Sequence, residues 1–172
     1  MLVSERLWDV RGNHTGEKVI IEGQYRSRNV HENAKSRLEL HLFAKNICTA
    51  EIETADRNEI ILNGYICKPP VYRTTPLGRE ICDVLLAVNR AYRKSDYIPC
   101  VVWGRNAEFV SGLEVGTQLK LEGRIQSREY IKKLENGEER RIAYEVSVTT
   151  VEPVMEREEV EPEPEQSPEA AA

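Results

Sequence analysis

Large rings are scarce: two Phe and two Trp occur in 172 residues, with seven Tyr, so aromatic content is only 6%. A core must therefore be built mainly from aliphatic side chains, which the apolar content of 40% can supply. No apolar run approaches the roughly 20 residues that cross a bilayer. Met1 to Arg6 lacks the apolar stretch of a secretory leader. The four cysteines, Cys48, Cys67, Cys82 and Cys100, are far apart and contain no Cys-x-x-Cys pair. Their spacing argues against zinc and against a disulfide framework, and fits free thiols in a reducing compartment, most of them buried. The three histidines, His14, His31 and His41, pair with no Cys or carboxylate at ligand spacing. No phosphate-cradling glycine loop is present. Glu22 and Glu122 recur, but each stands beside a glycine on a strand's outer face, which suits structure better than acid–base work. No metal, no cofactor and no catalytic residue are expected, and the chain reads as a non-enzyme.

What is there begins with charge. The formal net charge is −5. From Glu152 onward there are eight Glu and one Arg, a net of −7, which leaves the remaining 151 residues near +2. A mildly basic body with an acidic tail suggests a polyanionic partner for the body and a solvated tail. Residues 152–172 hold Glu-Pro-Glu-Pro-Glu and almost nothing to bury, so they are expected to be disordered.

The body carries one pattern twice. Gly16, Glu22, Gly23, Ser27 and Arg28 recur 100 residues later as Gly116, Glu122, Gly123, Ser127 and Arg128. Leu38 to Leu42 matches Ile142 to Val146 in apolar phase. A repeat of this length points to duplicated modules. About 60 strand-like residues precede Gly116 but only 15 precede Gly16, so the reading is a partial module over 1–50 and a complete one over 58–151, joined by a polar linker. By the 100-residue offset, Val3 takes the place of Trp103.

In the first module, Ser4 is placed to cap a short helix from Leu7 to Val10. Glu17 to Arg26 and Leu38 to Ala44 read as strands, with 29–36 as a polar hairpin loop. In the second, strands are expected over Glu59–Cys67, Ile81–Asn89, Ile98–Trp103, Gln118–Ile125 and Ile142–Val151. A helical turn or two is expected over Asn106–Val110. Tyr92–Tyr97 and Lys133–Glu139 read as turns, the latter through Asn136-Gly137. Gly64 and Gly123 inside strands suit tight coiling. The expected fold is all-β: a five-stranded OB barrel with a short helix between strands 3 and 4, preceded by a partial OB half-module.

Rings and cations interleave on this frame. Tyr92, Tyr97, Trp103 and Tyr130 fall around its second and third strands and the end of its fourth. Arg90, Arg93, Lys94, Arg105, Arg124, Arg128, Lys132 and Lys133 lie among them. A single nucleic-acid strand exposes base faces and phosphates together, which rings and cations can grip in turn, at about 1–3 kcal/mol per stacked base. The competing account is that the rings simply complete the core, most of all Trp103, which follows apolar Val101 and Val102.

Five stretches carry a resemblance: Asn58-Glu-Ile-Ile-Leu-Asn-Gly64, Arg73-Thr-Thr-Pro-Leu-Gly78, Leu86-Ala-Val-Asn-Arg90, Val101-Val-Trp-Gly-Arg-Asn-Ala-Glu108 and Leu121-Glu-Gly-Arg-Ile-Gln-Ser-Arg128. In this order and spacing they resemble the bacterial single-stranded DNA-binding protein family. The resemblance implies an OB fold, base stacking at Tyr92, Tyr97, Trp103 and Tyr130, phosphate contacts that include Arg73, homo-oligomers, and a cytoplasmic, nucleoid-associated role with replication or repair proteins as partners. The first module resembles the first OB unit of longer Firmicutes-type relatives, without its first three strands. The tail ends Ser167-Pro-Glu-Ala-Ala-Ala172, without the phenylalanine tip that family tails often carry.

The function expected is sequence-tolerant binding of single-stranded DNA in replication, repair and recombination. Two other readings compete: a protein-interaction adaptor similar to primosomal replication protein N, and an RNA chaperone. A two-stranded hairpin alone is marginal in water. The apolar face of the first module is therefore expected to pack on the barrel, pair with another chain, or be poorly ordered.

Overall fold

The computed structural model describes residues 1–9, 11–32, 35–134 and 137–154. Their elements run β1 (Val19–Glu32), β2 (Lys35–Thr49), β3 (Ile60–Ile66), β4 (Val71–Thr74), β5 (Glu80–Arg90), β6 (Lys94–Trp103), α1 (Gly104–Ser111), β7 (Gln118–Leu134) and β8 (Gly137–Pro153).

Alternation closes the barrel. In β5 and β6, Cys82, Val84, Leu86, Ile98, Cys100 and Val102 point one way and are buried, joined by Leu62, Ile66, Leu119, Leu121, Val146 and Val148. Each large aliphatic side chain buried there contributes about 1.5–3 kcal/mol. β3 pairs antiparallel with both β5 and β7, β7 with β8, and β5 with β6. β8 closes the ring on β6 in parallel, over only Cys100–Val102 against Val146–Val148. Five strands and a helix between the third and fourth are thus as expected. α1 adds Ala107 and Val110 to the core. Gly64 lies where β3 crosses onto β5, and a Cβ there would meet the Ala87 carbonyl oxygen at 2.4 Å.

Several local expectations are corrected. β4, added at the edge of β5, is fully exposed and gives no alternation to read. Residues 29–32 and 35–36 are paired strand rather than loop, and β6 begins at Lys94 within the stretch read as a turn. The Leu7–Val10 helix does not form among the described residues: Leu7 N–H bonds Ser4 O at 2.9 Å in a turn, and Val10 lies outside the description. His14 does meet a carboxylate, with Nδ1 3.0 Å from Glu17 Oε1. Together with Asp9 O, also hydrogen-bonded, Glu17 holds the His14 pKa above its ordinary value. Cys82 and Cys100 are buried and Cys67 half-buried, whereas Cys48 is exposed. Of the acidic tail only Glu152–Val154 is described, where β8 still runs to Pro153; the rest lies outside the described residues.

The repeat is structural. β1–β2 and β7–β8 are equivalent hairpins, each with a register shift at the same place, Glu22/Gly23 and Glu122/Gly123. Built onto either glycine, a Cβ would stand 2.2 Å from a cross-strand carbonyl oxygen. Leu2 adds a parallel bridge to Phe43, through Leu2 N–H to Leu42 O at 2.8 Å and Ala44 N–H to Leu2 O at 3.0 Å. It repeats the parallel closure of the barrel, one residue out of the 100-residue offset: Leu2, not Met1, takes the place of Val101.

Of the three fates expected for the half-module's apolar face, packing on the barrel is the one observed. Tyr25 and Leu40 pack against the barrel core. Ser27, 7% exposed, clamps β1 to the edge of β6: its N–H donates to Asp96 Oδ1 at 2.9 Å, and its Oγ accepts the Tyr97 N–H at 2.7 Å. β6 is free to accept β1 there because β8 pairs only with residues 100–102.

Candidate nucleic-acid interface

If the buried residues of β5 and β6 point inward, their odd-numbered neighbours point outward. Cross-strand register then assembles one outer face. Trp103 stands opposite Ile81, which stands opposite Arg73; Val101 stands opposite both Asp83 and Ser147; and Arg124 stands opposite Ser147. Further along, Gln126 faces Glu145, Arg128 faces Ala143 and Tyr130 faces Arg141.

At the centre of this face lies a groove of about 510 Å³, lined by Trp103, Arg79, Arg124, Arg128, Gln126, Ser127 and Ser147. Trp103 is half-buried, and its indole Nε1–H donates to Ser147 Oγ at 3.0 Å. Since Ser147 is itself buried, the bond fixes the tilt of a ring whose other side is open. A second depression of about 420 Å³ adjoins it at Arg128, with Leu85, Pro99, Val101 and Ala143 among its lining residues. Glu145, 7% exposed, lines the second. Its Oε1 accepts the Gln126 amide at 3.0 Å and lies 3.5 Å from Arg128 Nε. Asp83 likewise holds Arg73, Nη2 to Oδ1 at 3.1 Å, and keeps the Arg73 pKa above its ordinary value. Arginines held by carboxylates in this way are oriented before any ligand arrives.

The expected residues do not all converge. Trp103, Arg124 and Arg128 share the groove, and Arg73 stands across the register from it. Tyr130 continues the row along β7, with the Arg128 guanidinium 5.9 Å from its ring centre. Tyr97 is exposed beside the clamp at Ser27. Tyr92 and Arg93 form the tip of the β5–β6 turn, both with positive φ, 64° and 53°, an uncommon conformation outside glycine. Tyr92 is 93% exposed there, and Arg93 and Lys94 are exposed with it. Arg90 turns toward the clamp instead, with Nε 3.1 Å from Asp96 Oδ2. Arg105 is exposed at the start of α1 and lines neither depression. Lys132 and Lys133 are exposed on the β7 arm, across from Glu139 and Glu138. Arg79, Gln126 and Ser147 escape the sequence reading. Gln126 is recoverable by alternation with Arg124 and Arg128. Ser147 needs the cross-strand register, and Arg79 the turn that leads into β5.

Among the described residues no group of His, Cys, Asp and Glu could hold a metal ion, and no helix is long and apolar enough to cross a membrane.

The model of the Single-strand binding protein family matches residues 57–154. Over 92 residues the chain is 41% identical to Single-stranded DNA-binding protein 1 of Staphylococcus aureus (strain COL), covering 49% of this chain and 53% of that protein. Over 80 residues it is 39% identical to Single-stranded DNA-binding protein A of Bacillus subtilis (strain 168), covering 42% and 46%. The chain spans about half the length of the curated relatives it matches. In fold it is similar to the wild-type single-stranded DNA binding protein from Thermus aquaticus, with a TM-score of 0.65 and 23% identity over 90% of this chain and 62% of that one. A deletion mutant of the same protein gives a TM-score of 0.68, at 24% identity over 84% and 63%.

Proposed function

The chain belongs to the single-strand binding protein family, and from that premise we propose that its barrel binds single-stranded DNA without catalysis and with little sequence preference. The observation that carries this is the groove: a half-buried indole, fixed by Ser147 and open on one side, among Arg79, Arg124 and Arg128. Stacking accepts any base because every base has a flat face, while the guanidiniums take the phosphates. Tyr130 extends the path along β7, and Tyr97 and Tyr92 toward the other end of β6. Arg73, Arg93, Lys94 and Arg105 add phosphate contacts around it. Arg90 is set apart from them, because it alone of these cations is half-buried, against Asp96.

Domain limits of 58–151 for the binding barrel, 1–50 for the docked half-module and 152–172 for the acidic tail belong to the same proposal. So do a cytoplasmic, nucleoid-associated setting, self-association, and replication or repair proteins as partners.

The test is fluorescence titration with oligodeoxythymidine, matched duplex and matched RNA at two salt concentrations. Three groove arginines engaging phosphates contribute about −2 to the log–log salt slope on a single strand, and the four surrounding cations steepen it toward about −5. Binding to duplex as strong as to single strand, or no salt dependence, sinks the proposal. Equal binding to RNA sinks its preference for DNA.

A further inference from the structure

We propose that the outer face of the β1–β2 hairpin is a second single-strand contact site, centred on Phe43 and Arg26, which lengthens the path offered by the barrel. The proposal rests on the barrel reading above. The repeat superimposes the two hairpins residue by residue. Gln24, Arg26, Arg28 and Phe43 take the places of Arg124, Gln126, Arg128 and Ser147, all four of which line the groove. The inner face of the hairpin is spent on docking, through Tyr25, Ser27 and Leu40. Among the described residues, those docking contacts use none of the outer-face side chains Gln24, Arg26, Arg28 and Phe43.

That face has the right chemistry. The Arg26 guanidinium lies 3.8 Å from the centre of the Phe43 ring, and Gln24 Oε1 accepts from its Nε at 3.1 Å. A ring 36% exposed and a guanidinium plane held against it form a flat cationic platform, a surface on which a base stacks and a phosphate is neutralised. Arg28 and Arg37 flank it and share one carboxylate, Glu39, at 2.7 and 2.6 Å, so the cluster keeps an excess of positive charge. Position links it to the barrel. Ser27 is bonded to the Tyr97 backbone, Tyr97 is an exposed ring of the barrel face, and Arg26 and Arg28 are the chain neighbours of Ser27.

The test compares labelled oligodeoxythymidines of about 8 nucleotides, within the span of one OB barrel, and about 30, long enough to pass beyond it. Fluorescence anisotropy of the full chain is compared with Phe43→Leu, which keeps bulk without a ring, and with Phe43→Trp, which restores one. The proposal expects Phe43→Leu to bind the short oligomer like the wild type and to lose about tenfold on the long one, the scale of one lost stack. Phe43→Trp restores the long-oligomer affinity. Adding Arg26→Ala to Phe43→Leu also flattens the salt slope on the long oligomer only. If every variant equals the wild type on the long oligomer, or if Phe43→Leu weakens both oligomers alike, the hairpin site is overturned and the barrel reading stands. A wild-type chain that binds neither oligomer overturns both.

Discussion

At the scale of single residues, Tyr25 is held at a cost. Its hydroxyl is buried with no hydrogen-bond partner among the described residues, and burial, aided by Cys100 and Tyr144 nearby, pushes its pKa up to about 12. The folded state therefore resists an ionisation that the unfolded chain accepts near pH 10. The stability involved is present below that value and is lost as pH rises from about 10 toward 12, by up to about 2 kcal/mol after allowing for partial exposure of the ring. Tyr25→Phe removes the orphan hydroxyl, so it is expected to raise Tm by the equivalent of about 1 kcal/mol at neutral pH. It also flattens the fall in urea midpoint between pH 9 and 11, and an unchanged pH profile in the variant would count against this account. Gly123 and Gly23 make a paired case. Alanine at either needs a cross-strand carbonyl to move, at about 1–3 kcal/mol, so each substitution is expected to lower the urea midpoint. Gly123→Ala bends the wall of the groove as well, and is expected to weaken strand binding where Gly23→Ala does not on a short oligomer.

At the scale of elements, the docking of β1–β2 rests on Asp96, 4% exposed, which takes the Ser27 N–H and faces Arg90. Asp96→Ala leaves that N–H without an acceptor and Arg90 without its partner. About 3 kcal/mol is expected, at the low end for a buried pair because Arg90 is partly exposed. Hydrogen exchange is expected to quicken through β1 and β2 while β3 and β7 stay protected; uniform loss of protection would mean that hairpin and barrel unfold together. Elements also show how far the amino-acid pattern reaches. Alternation in Leu38–Leu42 marked a strand with one half-buried face, the apolar runs Ile81–Asn89 and Ile98–Trp103 marked two barrel strands, and the repeat found both hairpins. Residues 29–32 were misread because they lie on a two-stranded ribbon beyond the core, where polar side chains pair as well as apolar ones. β4 was missed because all four of its residues face solvent. The nearness of Trp103 to basic residues is legible, but its bond to Ser147, 44 residues away, depends on a parallel pairing that no local pattern announces. Arg90 fits a basic surface by composition, but its ion pair with Asp96, two places beyond its cross-strand partner Lys94, needs the register of the β5–β6 hairpin.

At the scale of the whole molecule, a barrel with a short parallel seam is closed at one end by α1 and covered along the free part of β6 by a hairpin from its own duplicated relative. A chain shortened to residues 58–172 uncovers that edge and leaves Asp96 without the Ser27 N–H. It is expected to fold with a Tm several degrees lower, by the scale of about 1 kcal/mol per 4–8 °C for a domain of this size, and to keep its affinity for a short oligomer. An unaltered Tm would show that the hairpin rests on the barrel without supporting it. The bridge of Leu2 to Phe43 bears on handling the protein. Leu2 is hydrogen-bonded on both sides to β2, so residues fused ahead of Met1 start in register with a strand and are guided back alongside His41 and Glu39, where β2 offers an open edge. A purification tag placed there meets a template.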